Sequence, residues 1–387
     1  MTFKKITHQL HLWLGLSSGL VVFIVSITGC LYAFKTEIEE LTKPYLFVET
    51  QNKAQLPPSV FELKAKKIYP KKHLHAVNYA GKGRSVEAIF YGIDPEYYNI
   101  IYFNPYTAEV LEVKDMDTDF FRIILVGHYY LWLPPTIGQP IVASATLIFV
   151  LLLISGIILW WPKNKAASKQ RFQFKWKPNT QWKRKNYDLH NVLGFYASWV
   201  VVIIALTGLV WGFQWFANSV YWRLGGEKST VFTEAISDTT LKKTYTENSP
   251  NIDRAWQKVK SEDPNIDAIE VHIPDSDSAS IAINTNSEIG TLWKIDYRYF
   301  DQYSLKELSV NHIYGRFKDA KLADKTIRLN YDVHIGAIFG FAGKLLAFCV
   351  SLISASLPLT GFYIWWGRRN KQKQNKISEE QFIQTNS

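Results

Sequence analysis

The sequence predicts a membrane α-helical protein with four transmembrane helices in two parallel repeats and two α+β modules outside the membrane. Three observations predict this class. Four apolar windows are each long enough to cross a hydrocarbon core, which requires about 20 residues of helix. Polar segments of ordinary soluble composition separate these windows. Short basic stretches precede the first and third windows and follow the second and fourth, which places them all on one side of the membrane, as the positive-inside rule requires of cytoplasmic loops.

The positions of the windows set the predicted domain boundaries. The first repeat covers residues 1–162, with helices over 12–34 and 137–161 and an outer module over 35–136. A basic loop covers 163–186. The second repeat covers residues 187–369, with helices over 192–216 and 335–366 and an outer module over 217–333. Residues 370–387 form a polar tail, which is expected to be disordered from Gln372. Both halves begin on the same side, so the predicted repeat axis lies along the membrane normal.

The formal net charge of +10 reflects membrane topology rather than nucleic-acid binding. Much of the excess lies beside the apolar windows: near the N-terminus, in the loop from Lys163 to Lys185, and from Arg368 to Lys376. Both termini and the basic loop are therefore predicted to be cytoplasmic. The chain has only two cysteines, Cys30 and Cys349, and it lacks the Cys-x-x-Cys-His motif of covalent haem attachment.

The two outer modules contain similar hairpin patterns. Tyr102–Val110 and Tyr299–Leu308 each combine alternating aromatic residues with a turn and a second strand. Periodicity predicts further helices and strands. The helices are 58–67 and 252–261, and the strands are 85–91, 100–103, 268–273, 279–284 and 291–297.

Four histidines lie at the ends of the apolar windows. His11 and His190 precede helices that leave the cytoplasm, so both are expected near the inner face. His128 and His334 precede helices that enter from outside, so both are expected near the outer face. A pair of imidazoles at each depth is the ligand set of two stacked bis-histidine b haems. The alternatives are interfacial or helix-packing histidines.

A directly bound metal ion is the more specific alternative to haem at the inner face. His8 and His11 lie three residues apart on one helix face, which suits a shared ion. However, no carboxylate or thiolate accompanies the four histidines inside the apolar windows. His8 also remains a candidate substitute for His11 as a haem ligand.

A cation precedes each of the four histidines by six residues. These cations are Lys5, Arg122, Arg184 and Arg328. Because haem propionates point toward water, such cations are candidates to pair with them. Interfacial anchoring of basic side chains is the alternative.

The remaining polar and aromatic residues give weaker signals. Tyr129, Tyr130 and Trp132 follow His128, and they form either an aromatic belt or a docking surface for substrate. His73, His75, His272 and His312 are expected to be solvated surface residues. The chain has no nucleotide-binding motif, so an electron donor must be a separate cytoplasmic or membrane component.

Several motifs resemble the PepSY-associated transmembrane helix family. They are Trp182–Tyr196, which includes His190-Asn-Val-Leu-Gly; His334–Lys344; and the Trp-Trp endings at 156–161 and 361–366. The Asn-Pro-Tyr-Thr and Asp-Gln-Tyr-Ser hairpins are of PepSY type. This family includes bacterial inner-membrane ferric-siderophore reductases with four helices, two b haems and periplasmic PepSY-like modules.

The resemblance implies a haem-dependent reductase that passes electrons to a ferric siderophore or other ferric chelate in the periplasm, releasing Fe(II). One alternative is a haem-free module that binds or regulates a peptidase, with helices that serve only as anchors. A permease is a third hypothesis, but it would require interrupted helices in corresponding positions, and the pattern shows none.

Overall fold

The computed structural model describes residues 2–162, 164–244 and 250–385, so Lys163 of the basic loop lies outside the described residues. The chain divides into two compact units. We call Met1–Phe34, Ile124–Gln214 and Val333–Ser387 the transmembrane unit, and Lys35–Ile123 and Trp215–Asp332 the extramembrane unit. The α-helices in chain order are α1 (Phe3–Tyr32), α2 (Lys35–Thr42), α3 (Pro58–Ile68), α4 (Phe120–Tyr130), α5 (Pro135–Trp160), α6 (Lys165–Arg171), α7 (Trp182–Asp188), α8 (Gly194–Gly212), α9 (Gln214–Arg223), α10 (Asn251–Glu262), α11 (Leu322–His334) and α12 (Gly340–Thr385).

Four helical spans are long and apolar enough to cross a membrane: Phe3–Tyr32, Pro135–Trp160, Trp182–Gly212 and Ala337–Asn370. Helix α1 packs against α5 and α12, and α8 packs against the same two helices. The four spans therefore form a bundle in which α1 and α8 each have α5 and α12 as neighbours. Small buried residues such as Ser18 and Ala197 lie within it, which permits close approach between helices.

Three helix ends differ from the sequence prediction. Helix α1 begins at Phe3 rather than at residue 12, because hydropathy detects only the apolar part of a helix that continues into water. The fourth span is interrupted near residue 335. Gly336 adopts φ 78° and Gly340 φ 57°, which end α11 and place a short 3₁₀ turn, Ala337–Phe339, before α12. Helix α12 continues to Thr385, where the sequence predicts a disordered tail.

The extramembrane unit contains one antiparallel sheet of eight strands. The strands are β1 (Leu74–Tyr79), β2 (Val86–Ile93), β3 (Glu96–Phe103), β4 (Val110–Asp115), β5 (Ala268–His272), β6 (Ser280–Asn286), β7 (Asp296–Asp301) and β8 (Glu307–Leu308). Their order in the sheet is β4-β3-β2-β1-β5-β6-β7-β8. The two α+β modules predicted from the sequence share this one sheet, because β1 pairs with β5 and joins them edge to edge. Periodicity did not identify β1, whose pairing with β2 contains a register shift near His75.

The core of this unit lies on one face of the sheet. Helices α3 and α10 cover it with Phe61, Ala65 and Trp256, which pack on strand residues such as Val77 and Val271. The amphipathic patterns over 58–67 and 252–261 correctly predicted these helices. Both hairpins, β3–β4 and β7–β8, are also confirmed. The strand predicted over 291–297 is wrong, because β7 begins only at Asp296.

Val77 and Val271 provide a test of the joined sheet. They pair directly across β1 and β5, and both side chains are fully buried. Each Val→Ala substitution is expected to lower the free energy of unfolding by roughly 2 kcal/mol. In the double variant the two losses are expected to be non-additive by about 0.5–1 kcal/mol. Denaturant unfolding of the detergent-purified protein, followed by tryptophan fluorescence, measures both.

Val113→Ala, in the exposed part of β4, is the matched control and should change the free energy of unfolding little. Strict additivity of the paired variants would indicate that the two halves fold without this junction.

Candidate functional site

Each of the four window-end histidines places Nδ1 against a hydroxyl group of a neighbouring transmembrane helix. The hydroxyl oxygen lies about one hydrogen-bond length from the ring nitrogen in every case. The pairs are His11 with Ser155 at 2.9 Å, His128 with Thr28 at 3.2 Å, His190 with Thr360 at 2.9 Å and His334 with Thr207 at 2.9 Å. These contacts connect α1 to α5, α4 to α1, the start of the third span to α12, and α11 to α8.

The proton positions in these contacts follow from the backbone. His128 Nδ1 lies 2.9 Å from the Val25 carbonyl oxygen, and His334 Nδ1 lies 3.1 Å from that of Ile204. A carbonyl oxygen only accepts hydrogen bonds, so Nδ1 of both rings must carry the proton. Thr28 and Thr207 donate their own hydroxyl protons to carbonyls of their helices, which leaves their oxygens as acceptors. In a neutral ring, Nε2 therefore keeps the lone pair that a metal requires.

The inner histidines have the same local chemistry. Ser155 donates to the Leu152 carbonyl at 3.1 Å, and Thr360 donates to the Leu357 carbonyl at 3.1 Å. The Ser155 and Thr360 oxygens are thus left as acceptors for the His11 and His190 rings.

A glycine follows each hydroxyl residue and provides space for the ring. A Cβ atom on Gly29 would lie 3.1 Å from His128 Cε1, and one on Gly361 would lie 3.2 Å from His190 Cε1. At Gly156 and Gly208 the corresponding distances to His11 and His334 are 3.5 and 3.6 Å. The hydroxyl–glycine dipeptide therefore forms a seat for an imidazole on each of four helices. Nothing in the sequence alone predicted this role for the dipeptides.

The outer histidines meet each other. The ring centres of His128 and His334 lie 6.1 Å apart, with an interplanar angle of 68°. Trp211 packs edge-on against His334 with ring centres 5.2 Å apart. The structure thus brings together the outer pair that was grouped by depth from the sequence.

His190 lies in a π-helical segment, Leu189–Leu193, that joins α7 to α8. Such segments are rare and frequently occur at functional sites. Asn186, one turn earlier, donates from Nδ2 to the Thr360 carbonyl, so Thr360 of α12 contacts both Asn186 and His190. No sequence pattern identified this widening, because π geometry depends on the packing of the neighbouring helix.

His8 occupies a different environment from His11. It is exposed, and its Nε2 accepts a hydrogen bond from Arg368 Nη1 at 3.3 Å. The structure gives His8 no hydroxyl–glycine seat, whereas His11 has one. Lys5 is exposed as well. Arg184 donates to Asp188 at 2.9 Å, and its side chain is 62% exposed.

Arg122 and Arg328, both in the extramembrane unit, differ from those two cations. Arg122 is half-buried over the ring of Tyr98, at 5.4 Å from its centre. Arg328 is buried between Tyr297 and Phe317, at 5.1 and 5.4 Å. Burial lowers the pKa of Arg328, although a guanidinium stays charged at neutral pH.

The three aromatic residues after His128 lie beside its ring. Tyr129 contacts His128 with ring centres 5.8 Å apart and contacts Tyr130 at 5.9 Å. Trp132 is 51% exposed and covers Gly127. The positions of Tyr129, Tyr130 and Trp132 are compatible with either a belt or a docking surface.

The expectation that the remaining histidines are solvated is wrong for His312, which is fully buried against Tyr299 and Phe232. His75 packs on His272 with ring centres 4.9 Å apart. Burial and the neighbouring His272 lower the pKa of His75. Across the described ranges, no group of three or more His, Cys, Asp or Glu side chains is arranged to hold a metal ion.

Four apolar spans together with a paired-strand extramembrane unit define a multi-pass membrane protein of mixed architecture. A family model described as the PepSY-associated TM region matches residues 8–368, so the chain belongs to that family. A search of curated proteins found no match.

The distances at the glycine seats predict that Gly→Ala substitutions will change the stability of the protein unequally. Gly208→Ala places Cβ at ordinary contact distance from His334, so the gain in helix propensity, about 1 kcal/mol, should be retained. Gly29→Ala forces a 3.1 Å contact on the His128 ring, which Val25 and Thr28 hold in place. We therefore expect Gly29→Ala to lower the unfolding temperature and Gly208→Ala to leave it equal or higher. Differential scanning fluorimetry in detergent checks this, and identical shifts would contradict the assigned ring positions.

Proposed function

We propose that this protein is a di-haem transmembrane electron-transfer protein. It reduces a ferric siderophore or another ferric chelate and releases Fe(II) for uptake. The contact between His128 and His334 carries the proposal. Two imidazoles that share one metal ion through nitrogens at about 2 Å each have ring centres roughly 6 Å apart. The observed separation is 6.1 Å, and both rings have Nδ1 occupied and Nε2 available.

His11 and His190 are the proposed ligands at the inner face. Their Nδ1 atoms are occupied in the same manner as those of the outer pair. Because α1 and α8 have α5 and α12 as shared neighbours, ligands on α1 and at the start of α8 can bind one cofactor inside the bundle. This supports haem b at both levels, with His11 rather than His8 as the inner ligand.

The protein's own groups have three tasks in this scheme. The carbonyl and hydroxyl acceptors orient each imidazole and raise the basicity of Nε2. The glycines permit the rings to sit against the helix backbone. The apolar faces of the four spans exclude water, which influences the reduction potential. Bound haem b would supply reversible one-electron chemistry at each level.

The proposed membrane topology of the protein follows its charge distribution. Both termini and the basic loop face the cytoplasm of a bacterial inner membrane, and the extramembrane unit faces the periplasm. The two halves of the chain are proposed to be parallel repeats. A separate cytoplasmic or membrane donor supplies electrons at the inner level, and Tyr129, Tyr130 and Trp132 lie on the side where substrate arrives.

Haem content tests the ligand assignment. The purified protein should bind two b haems per chain, and His334→Ala and His190→Ala should each retain about half. The double variant should retain none, because each level loses a ligand. Quantitative pyridine haemochromogen assays and reduced-minus-oxidised spectra provide the measurement.

His8→Ala is the matched control, since His8 lies one turn from His11 but is exposed and bonded to Arg368. It should retain both haems. A purified protein without a Soret band, prepared under haem-replete expression, would refute the proposal and favour a haem-free binding module.

The reductase activity has its own stoichiometric test. Anaerobic protein reduced with dithionite and freed of excess reductant should reduce two equivalents of Fe(III) chelate per chain, one electron per haem. Ferrozine trapping counts the Fe(II), and haem reoxidation is followed at the α band. His334→Ala should slow reoxidation at least tenfold, because it removes the outer level. Equal rates with and without the outer pair would show that it is not on the path.

A further inference from the structure

The extramembrane unit contains two guanidinium groups whose donors are almost entirely unused. A guanidinium offers five N–H donors. Within the described residues, the guanidinium of Arg122 donates to no acceptor, and that of Arg328 donates only from Nη2 to the Ile295 carbonyl. Nε of Arg122 and both Nε and Nη1 of Arg328 are buried without a partner. Leaving a buried donor unpaired destabilises the folded protein, and more so when the group is charged.

The other buried or half-buried arginines of this unit are all paired with carboxylates. Arg298 bonds Glu262 and Glu307, with its side chain 5% exposed. Arg316 bonds Asp296 and Glu307. Arg84 pairs with Glu40. Each of these three arginines therefore has a carboxylate partner, whereas the guanidiniums of Arg122 and Arg328 have none.

Each of the two unpaired guanidiniums lies over a tyrosine ring. The guanidinium carbon of Arg122 is 5.4 Å from the ring centre of Tyr98 on β3, and that of Arg328 is 5.1 Å from the ring centre of Tyr297 on β7. A ring on one side supports a guanidinium without using its N–H donors, which leaves them to bind a ligand. Nearby acids are already engaged: Asp119 bonds Lys43 and the backbone of α4, and Asp324 bonds Tyr221 and Lys228.

We propose that Arg122 and Arg328 bind carboxylate groups of a ligand. A planar fork of N–H donors matches the two oxygens of a carboxylate, and such charge-assisted bonds are about twice as strong as neutral ones. Two sources of this chemistry exist within the proposed function, on which this inference rests: the propionates of a bound haem and the carboxylates of a ferric chelate.

Iron-free citrate is the probe for the substrate source. Isothermal titration of citrate into the detergent-purified full chain should give binding that Arg122→Gln and Arg328→Gln each weaken at least tenfold. Arg254→Gln is the matched control, because Arg254 is an exposed arginine of α10 that bonds Asn251. It should leave citrate binding unchanged. Thermal unfolding of each variant in the absence of ligand verifies that it folds.

Comparing haem with its dimethyl ester tests the second source, the haem propionates. If propionates occupy the two arginines, the Gln variants should bind haem at least tenfold more weakly in reconstitution but bind the dimethyl ester as the parent does. An effect in either arm supports the carboxylate site and identifies its ligand. No effect of the folded Gln variants in both arms overturns it. The citrate arm requires no haem, so its result stands even if the protein proves to be haem-free.

Discussion

The transmembrane unit depends on one interaction, the hydrogen bond from an imidazole Nδ1 to a hydroxyl oxygen of a neighbouring helix. It occurs at four places, and each time a glycine lets the ring approach the backbone. A histidine inside an apolar bundle is costly unless its polar atoms are satisfied. Here one nitrogen is satisfied by the neighbouring helix, which fixes the tautomer and directs the other nitrogen away from it. The same contact therefore fastens two helices and prepares a ligand.

The extramembrane unit follows a different principle, in which pairing between strands joins two similar halves. The junction of β1 with β5 converts two four-stranded sets into one sheet, and the helices α3 and α10 share a single core on one face. Within this unit the other buried or half-buried arginines, Arg84, Arg298 and Arg316, are neutralised by neighbouring carboxylates. Arg122 and Arg328 have no such partner and lie over aromatic rings, which is why we infer that they recognise a ligand.

Much of the architecture could be predicted from the sequence because it depends on local periodicity. The four spans, the amphipathic helices beginning near Pro58 and Asn251, and both hairpins follow from patterns of a few residues. The same reasoning missed β1, since its pairing is irregular at His75, and it therefore treated the halves as separate. His312 was predicted to be at the surface, because the sequence around a single polar residue does not show which aromatic rings will pack against it in the fold.

The sequence alone determined that the chain has four apolar spans with a histidine at the end of each, since hydropathy and spacing are properties of consecutive residues. Only the tertiary structure decided which nitrogen of each ring is occupied and which histidines meet. The distance of 6.1 Å between His128 and His334 joins residues more than two hundred positions apart. Likewise, His11 and His8 are near neighbours in sequence, but only one of them faces a hydroxyl–glycine seat on the next helix. Packing between helices, rather than the order of residues within them, determines which of the two histidines contacts the hydroxyl–glycine seat.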